Sequence, residues 1–193
     1  MRIVKPSVEF IWGTEDALKT IERAGRTCYK SEAKITDVSA KEFVIRLIDN
    51  GHEAMIEHAS MSYRVICDRG VSHEIVRHRL FSFAQESTRY VSYKDGIDVI
   101  QPPTVSNESF VSWMEGVCIA EKYYKAMIEA GEKPQIARSI LPTCLKTEIV
   151  ITGNFREWRH FFYLRCARDA HPQMQEIANM IKEDAAKRYG SIF

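Results

Sequence analysis

The side chains best suited to chemistry are crowded into residues 77–90. This segment holds three arginines, one histidine, two serines and one threonine, interleaved with Phe81, Phe83 and Tyr90. Guanidinium groups form forked hydrogen bonds with phosphate oxygens, and hydroxyl groups add donors around them. Aromatic rings offer faces on which a planar ring system can stack. The segment predicts an anion site, although a solvated basic helix end followed by a hairpin fits the spacing equally well.

Arg77, His78 and Arg79 are consecutive, which restricts how they could serve one ligand. Successive residues of a regular helix point about 100° apart, so the three side chains could not face one way. A helix that ends here, with the chain wrapping a ligand, would use all three.

A separate arginine, Arg165, lies on an aromatic stripe in the predicted helix 154–168. The stripe has spacings of three, four and seven residues and comprises Trp158, Phe161, Phe162 and Arg165. Removing an arginine from water is costly unless it finds a partner. A carboxylate, such as that of Asp169 or Glu157, is the favoured partner on spacing alone, and a ligand anion is the alternative.

Three further basic residues are weaker candidates. Arg156 and His160 are four residues apart on a neighbouring face of the same predicted helix. Arg138 precedes Leu141-Pro142, where it suits a ligand but is equally consistent with an ordinary surface charge.

The elements that must position these residues form an α+β pattern dominated by helices. Hydrophobic periodicity and turn residues predict strands at 8–11, 61–66 and 147–152, and helices at 15–29, 39–50, 68–79, 107–130, 134–141, 154–168 and 172–189. Ser39 with Glu42 fits a capping box, and Gly51 can end that helix in a left-handed conformation. Asn154 with Glu157 can cap the helix that carries the aromatic stripe.

Composition limits the classes of protein to consider. The 193 residues predict one domain, 1–193, and 27 basic against 26 acidic residues give a net charge of +1, which argues against a nucleic-acid coat protein. Five cysteines without a CxxC pair make disulfides or zinc unexpected and suit a reducing cytoplasm. The first residues lack the apolar core of a signal peptide, and no run could span a bilayer. We expect a cytoplasmic protein with neither nucleic-acid nor membrane partners.

The arginine-rich segment resembles the signature of the flavin-dependent thymidylate synthases, in which Arg77-His78-Arg79 is followed, after seven intervening residues, by Ser87 and then by Arg89. Other segments resemble the same family in the same order: Gly51-His52-Glu53 with Glu57-His58, Ala137-Arg138-Ser139-Ile140-Leu141-Pro142, Asn154-Phe155-Arg156-Glu157-Trp158, Leu164-Arg165 and His171-Pro172-Gln173. The resemblance covers most of residues 10–180.

The resemblance implies a fold and a reaction. The fold is a central antiparallel sheet flanked by helices, in a homotetramer whose active sites are shared between subunits. The reaction converts dUMP to dTMP. In it, 5,10-methylenetetrahydrofolate supplies the carbon, and FAD passes electrons from NADPH.

The resemblance also implies roles for individual residues. Those expected to bind FAD are Arg77, His78, Arg79, Gln85, Asn154, Arg156 and His160. Those expected to bind dUMP are Glu74, Arg77, Gln85, Glu86, Ser87, Thr88, Arg89, Arg138 and Arg165. Arg165 is the predicted catalytic residue, because a cation fixed beside the uracil ring would stabilise its N3-deprotonated form.

Three departures from the family pattern stand out. Glu74 replaces a neutral amide that contacts the nucleotide in many members, so a contact through an amide donor is lost. Ala54 replaces a common hydroxyl residue, so a side-chain contact to FAD is lost. The chain is short for the family, so some peripheral elements are expected to be missing.

Two other chemistries remain weaker alternatives. Cys144 invites comparison with the cysteine-dependent class of thymidylate synthase, but no activating histidine follows it, so a structural role is favoured. The six histidines lack the i, i+4 spacing of helical metal ligands, which makes a metal-dependent nucleotide hydrolase a weak alternative and no metal the expectation. A single-strand nucleic-acid groove is disfavoured by the net charge.

Overall fold

The structure is a computed structural model that describes the backbone of residues 1–193 and every side chain except that of Ser191. The strands are β1 (Arg2–Val4), β2 (Ser7–Gly13), β3 (Ser60–Asp68), β4 (Ser82–Gln85), β5 (Asp98–Ile100) and β6 (Lys146–Asn154). The helices are α1 (Ala17–Tyr29), α2 (Ser39–Asp49), α3 (Arg69–Ile75), α4 (Asn107–Glu129), α5 (Pro134–Ala137), α6 (Phe155–Arg165) and α7 (Pro172–Tyr189). Short 3-10 helices are Glu32–Lys34, Glu53–His58, Arg138–Ile140 and Gly190–Ile192.

Four strands form one sheet in the order β2-β3-β6-β4. The neighbours run antiparallel: Ser62 on β3 faces Thr152 on β6 through a 2.8 Å hydroxyl hydrogen bond, and the start of β3 lies against the end of β6, where Phe155 N donates to Ala59 O. Helices flank this sheet, which confirms the predicted fold class. A separate parallel pair, β1 with β5, was not predicted, because its partners are about a hundred residues apart in the chain.

The chain divides into two compact units, and each of the strands β3, β4 and β6 has residues in both of them. The first unit comprises Met1–Ser7, Val65–Arg77 and Ala84–Ile149. Its core includes a cluster of buried aliphatic side chains from β5, α4 and the segment before β6. These are Ile97, Val99, Val117 and Leu145.

The second unit comprises Val8–Arg64, His78–Phe83 and Val150–Phe193. Its core is built on the aromatic stripe of α6, because Trp158, Phe161 and Phe162 are all buried. The Trp158 indole donates to Met61 O at 3.1 Å and packs edge-on against Tyr63 at 5.6 Å between centroids. The N–H of a buried indole needs a hydrogen-bond acceptor, and that of Trp158 reaches Met61 O only when the aromatic stripe of α6 packs against β3. The stripe predicted from residue spacing is therefore confirmed.

Most predicted elements are present, although several helix ends differ from the prediction. Ser39 does not cap α2: Val38 occupies the N-cap, while Ser39 Oγ donates to Glu22 at 3.0 Å and accepts from Thr36 N at 2.9 Å. The predicted capping box is therefore wrong, because tertiary partners claim the hydroxyl. Helix α3 also ends at Ile75 rather than near residue 79. No helix in the described part of the chain is long and apolar enough to cross a membrane.

Candidate functional site

His78 and Arg165, which are 87 residues apart in the chain, meet in the second unit. Arg165 Nε donates a hydrogen bond to His78 Nε2 at 2.9 Å. The early end of α3 allows this, because His78 lies beyond the helix and its imidazole turns inward, where it is only 8% exposed. The structure thus assigns Arg165 a partner that residue spacing did not suggest.

The protonation of His78 follows from its surroundings. Burial, followed by the positive charges of Arg165 and His160, lowers its pKa to about 4. The imidazole is therefore neutral near pH 7. Because Nε2 accepts from Arg165, the single ring proton must lie on Nδ1.

Aromatic rings surround the His78 imidazole. Phe161, Phe81 and His160 have centroids at 5.0, 6.1 and 6.2 Å from it, all in edge-on arrangements. Phe81 is seated against the backbone of Gly153 so closely that a Cβ at that glycine would lie 2.5 Å from its ring. Because Gly153 has no side chain, the Phe81 ring can pack directly against the backbone of β6, next to His78.

Asn154 connects β6 to the aromatic stripe. Its Oδ1 accepts from Glu157 N at 3.0 Å and caps α6, which confirms the predicted cap.

Arg156, two residues further along α6, contacts two acidic residues: its Nη1 donates to Glu57 at 2.6 Å, and its Nε lies 4.0 Å from Glu53. Arg79 and His160 are exposed. Of the residues predicted to bind FAD, the second unit therefore brings His78 and His160 together, whereas Arg156 is engaged with acidic residues.

The side-chain amide nitrogen of Gln85, at the end of β4, donates both of its hydrogen atoms to hydrogen bonds within the first unit. Gln85 Nε2 donates to Ser72 Oγ at 2.8 Å and to Thr147 Oγ1 at 3.2 Å. An amide has two N–H donors and one carbonyl acceptor, so the oxygen is the group left for a ligand. Gln85 is therefore suited to recognise a hydroxyl or an N–H.

The segment after Gln85 forms a tight turn. Ser87 O accepts from Tyr90 N at 3.2 Å and from Val91 N at 3.0 Å, and Ser87 Oγ accepts from Arg89 N at 3.3 Å. Thr88 is buried, and its hydroxyl accepts from Arg138 Nη1 at 3.2 Å. The first unit therefore brings Arg138 to the predicted Ser87–Arg89 segment.

The remaining predicted residues of the first unit lie at its surface or near it. Arg77 is exposed, and its backbone N donates to the carbonyl of Glu74 at 3.2 Å. Arg89 is also exposed, with its guanidinium over the Tyr90 ring at 5.6 Å. Glu74 is half-buried and has an interaction partner. The guanidinium groups of Arg77 and Arg89 are thus accessible to an anion from solvent.

Sequence reasoning missed two residues that hold Glu86. Tyr93 Oη donates to the Glu86 carboxylate at 2.6 Å, and Lys146 Nζ donates to it at 3.2 Å. Neither residue belongs to a recognisable motif, since Lys146 is sixty positions from Glu86 in the chain and Tyr93 belongs to a loop. The Glu86 side chain, predicted to bind the nucleotide, therefore faces partners within the protein.

The thiols and possible metal ligands offer no rival site. Burial, followed by the charge of Asp68, raises the pKa of Cys144 to about 11, so its thiolate is scarce near pH 7. Cys67 is buried, Cys166 is half-buried, and Cys28 on α1 and Cys118 on α4 are exposed. Among the described side chains, no group of three or more His, Cys, Asp or Glu could hold a metal ion.

Comparison with known proteins places this geometry in a family. Residues 9–189 match the model of the family described as "Thymidylate synthase complementing protein" (Thy1). A flavin-dependent thymidylate synthase of Mycobacterium sp. (strain KMS) is 33% identical over 199 residues, which cover 91% of this chain and 78% of the relative. Its counterpart in Mycobacterium tuberculosis (strain ATCC 25177 / H37Ra) is 31% identical over 196 residues, with the same two shares covered.

A solved structure shows the same fold. The crystal structure of the UMP/dUMP methylase PolB from Streptomyces cacaoi, bound with 5-Br dUMP, superposes with a TM-score of 0.83 at 22% identity. The similarity covers 97% of this chain and 93% of that one. The family model and the relatives at 31% and 33% identity span nearly the same residues, so the chain belongs to the flavin-dependent thymidylate synthase family of enzymes.

Proposed function

We propose that this protein methylates dUMP to dTMP, with 5,10-methylenetetrahydrofolate as carbon donor and FAD as the cofactor that NADPH reduces. The observation that carries the proposal is the family match over residues 9–189. The relatives are named flavin-dependent thymidylate synthases, and the PolB structure was bound with 5-Br dUMP. The positions of the chain's own residues add physical support.

The nucleotide is proposed to bind to residues that come mostly from the first unit. Its phosphate suits the guanidinium groups of Arg89 and Arg138 and the hydroxyl of Ser87, because charge-assisted hydrogen bonds hold phosphate best. The carbonyl oxygen of Gln85 is suited to accept from a sugar hydroxyl or from a base N–H. The other proposed nucleotide contacts, taken from the family pattern, are Glu74, Arg77, Thr88 and Arg165.

The flavin is proposed to bind through residues that include the His78 cluster of the second unit. FAD supplies the electrons that turn the transferred carbon into a methyl group. The donor set fits such a ligand: neutral His78 and its edge-on aromatic neighbours form a weakly polar cluster, and Arg79 and His160 add exposed donors. The other proposed flavin contacts are Arg77, Gln85, Asn154 and Arg156.

Arg165 is the proposed catalytic residue. A guanidinium stays charged at any pH a protein tolerates, and neutral His78 orients it without cancelling its charge. A cation held beside the uracil ring stabilises negative charge on the deprotonated N3 without reorganising during the reaction. The hydrogen bond to His78 therefore supports the assignment of Arg165 as an orientated electrostatic group.

The remaining proposals concern the whole protein. Because the family match crosses both compact units without interruption, we propose that residues 1–193 function as one domain. The homotetramer implied by the family remains our proposal for its assembly. We also propose the cytoplasm as its location, since free cysteines suit a reducing compartment.

The test of the function is spectroscopic and chemical. Purified protein should be yellow, NADPH should bleach it, and bleaching should be faster with dUMP present. With methylenetetrahydrofolate added, dUMP should be converted to dTMP. A colourless protein that also fails to take up added FAD would overturn the proposal, and salt-sensitive binding of oligonucleotides by such a protein would favour a nucleic-acid groove instead.

A further inference from the structure

Glu86, at the end of β4, is held at every polar atom it has. Its backbone N donates to Glu148 O at 2.9 Å, and its backbone O accepts from Arg69 Nη1 at 3.4 Å. One carboxylate oxygen accepts from Tyr93 Oη at 2.6 Å and the other from Lys146 Nζ at 3.2 Å. Because these four hydrogen bonds hold Glu86 in place, they fix the position at which the following segment begins.

Tyr93 fixes where the same segment ends. Its hydroxyl returns to Glu86 across the base of residues 87–92, which we call the 87–92 turn. Its backbone N donates to the hydroxyl of Tyr124 at 3.2 Å, and the two rings pack edge-on at 6.0 Å. Tyr124 is fully buried on α4, so the end of the turn is attached to the long helix of the first unit.

Charge keeps this arrangement in one protonation state. Burial, followed by the hydrogen bond to Glu86, raises the pKa of Tyr93, so the phenol keeps the proton that it donates. Burial alone would lower the pKa of Lys146, but its contacts with Glu148, at 2.6 Å, and with Glu86 outweigh it and raise the pKa above the usual value. The neutral phenol of Tyr93 and the ammonium of Lys146 therefore persist together near pH 7.

We infer that Tyr93, supported by Lys146, is a positioning residue that closes the base of the 87–92 turn and so presents Ser87 and Arg89 to the nucleotide phosphate. The inference rests on the proposed function. It reassigns the Glu86 side chain from contacting the nucleotide to anchoring the turn. Neither Tyr93 nor Lys146 needs to touch the nucleotide, because both act through Glu86.

The test compares two conservative variants of flavin-loaded protein, Tyr93→Phe and Tyr123→Phe. Tyr93→Phe removes only the hydroxyl that holds the turn, whereas Tyr123 is an exposed tyrosine on α4 outside this network. Calorimetric titration with dUMP should show that Tyr93→Phe weakens binding about tenfold or more, as expected for a lost hydrogen bond to a charged group. The KM for dUMP should rise in parallel while kcat changes little, and Tyr123→Phe should match the unchanged protein.

Other results of this experiment would separate the inference from its alternatives. Unchanged dUMP affinity in folded Tyr93→Phe would overturn it, as would a fall in kcat at constant KM. If Tyr93→Phe does not fold, Lys146→Gln carries the same test, and rescue of dUMP affinity by Lys146→Arg supports the inference. Failure of the unchanged protein to bind dUMP would instead overturn the proposed function.

Discussion

Arg165 Nε and His78 Nε2 are joined by a 2.9 Å hydrogen bond in which a permanent cation donates to a neutral imidazole. It keeps the arginine orientated, while burial, followed by the charge of Arg165, lowers the pKa of the histidine and keeps it unprotonated.

Arg165→Ala should abolish most of the methylation while leaving a folded protein that still binds FAD. Loss of a single preorganised group that stabilises developing charge costs about a hundredfold or more in turnover. The rate of dTMP formation measures the effect. Arg168→Ala, an exposed arginine three residues further on, is the control and should keep normal turnover. Near-normal turnover in Arg165→Ala would show that another group activates the base.

His78 should make the protein less stable as the solution is acidified. The folded state keeps this imidazole neutral down to about pH 4, whereas the unfolded chain binds the proton near its ordinary pKa of about 6.5. Between these values the unfolded state holds more protons, so this contribution is complete above pH 6.5 and is lost as the pH falls towards 4.

The pH effect is measured as the Tm of the flavin-free protein across that range. The unchanged protein should lose several degrees more than His78→Asn, which cannot titrate. His58→Asn, at an exposed histidine, should follow the unchanged protein. Parallel curves for all three proteins would contradict the lowered pKa of His78.

Gly153→Ala should destabilise the protein and weaken flavin binding together. The added Cβ would lie 2.5 Å from the Phe81 ring, which packs against Trp158 at 4.7 Å and has little room to move. Overpacking of this kind costs about 1–3 kcal/mol of unfolding free energy, measured by urea denaturation. Because Phe81 also contacts the His78 ring, the dissociation constant of FAD should rise.

A second glycine provides the control for that experiment. Gly116 lies within α4, and no heavy atom of a neighbouring group lies within 4 Å of the position that a Cβ would take there, so Gly116→Ala meets no steric obstacle. The same substitution should there stabilise the protein by about 0.5–1 kcal/mol. Equal effects at both glycines would argue against the close contact with Phe81.

Asn154→Ala should remove both a helix cap and a proposed flavin contact. Loss of the cap costs about 1 kcal/mol of unfolding free energy. Ser106→Ala removes the equivalent cap of α4, where Ser106 Oγ accepts from Ser109 N at 3.2 Å, and should cost a similar amount. Only Asn154→Ala should also weaken FAD binding, measured by flavin fluorescence. Equal FAD affinity in both variants would leave Asn154 a purely structural role.

Local patterns in the sequence predicted the parts of this protein that depend on near neighbours. The cap at Asn154 and the stripe of Trp158, Phe161 and Phe162 follow from spacings within one helix, and both are confirmed. The capping box at Ser39 fits the same kind of rule, yet it is wrong, because a glutamate seventeen residues earlier binds the hydroxyl.

Contacts between distant segments could not be predicted from spacing. The partner of Arg165 was expected among nearby acids, whereas the hydrogen bond shown goes to His78 on another segment. Tyr93 and Lys146 likewise gave no signal, since only the fold brings them to Glu86. The family pattern identified the residues that bear charge, and the structure shows which of them are held by other side chains.

The two exposed thiols offer a native means of following the protein in solution. Cys28 belongs to the second unit and Cys118 to the first, while the three other cysteines are buried or half-buried. Maleimide reagents should therefore modify one helix of each unit first, without any engineered residue. A donor and acceptor dye, or two spin labels, at these thiols would report the distance between the units before and after nucleotide is added.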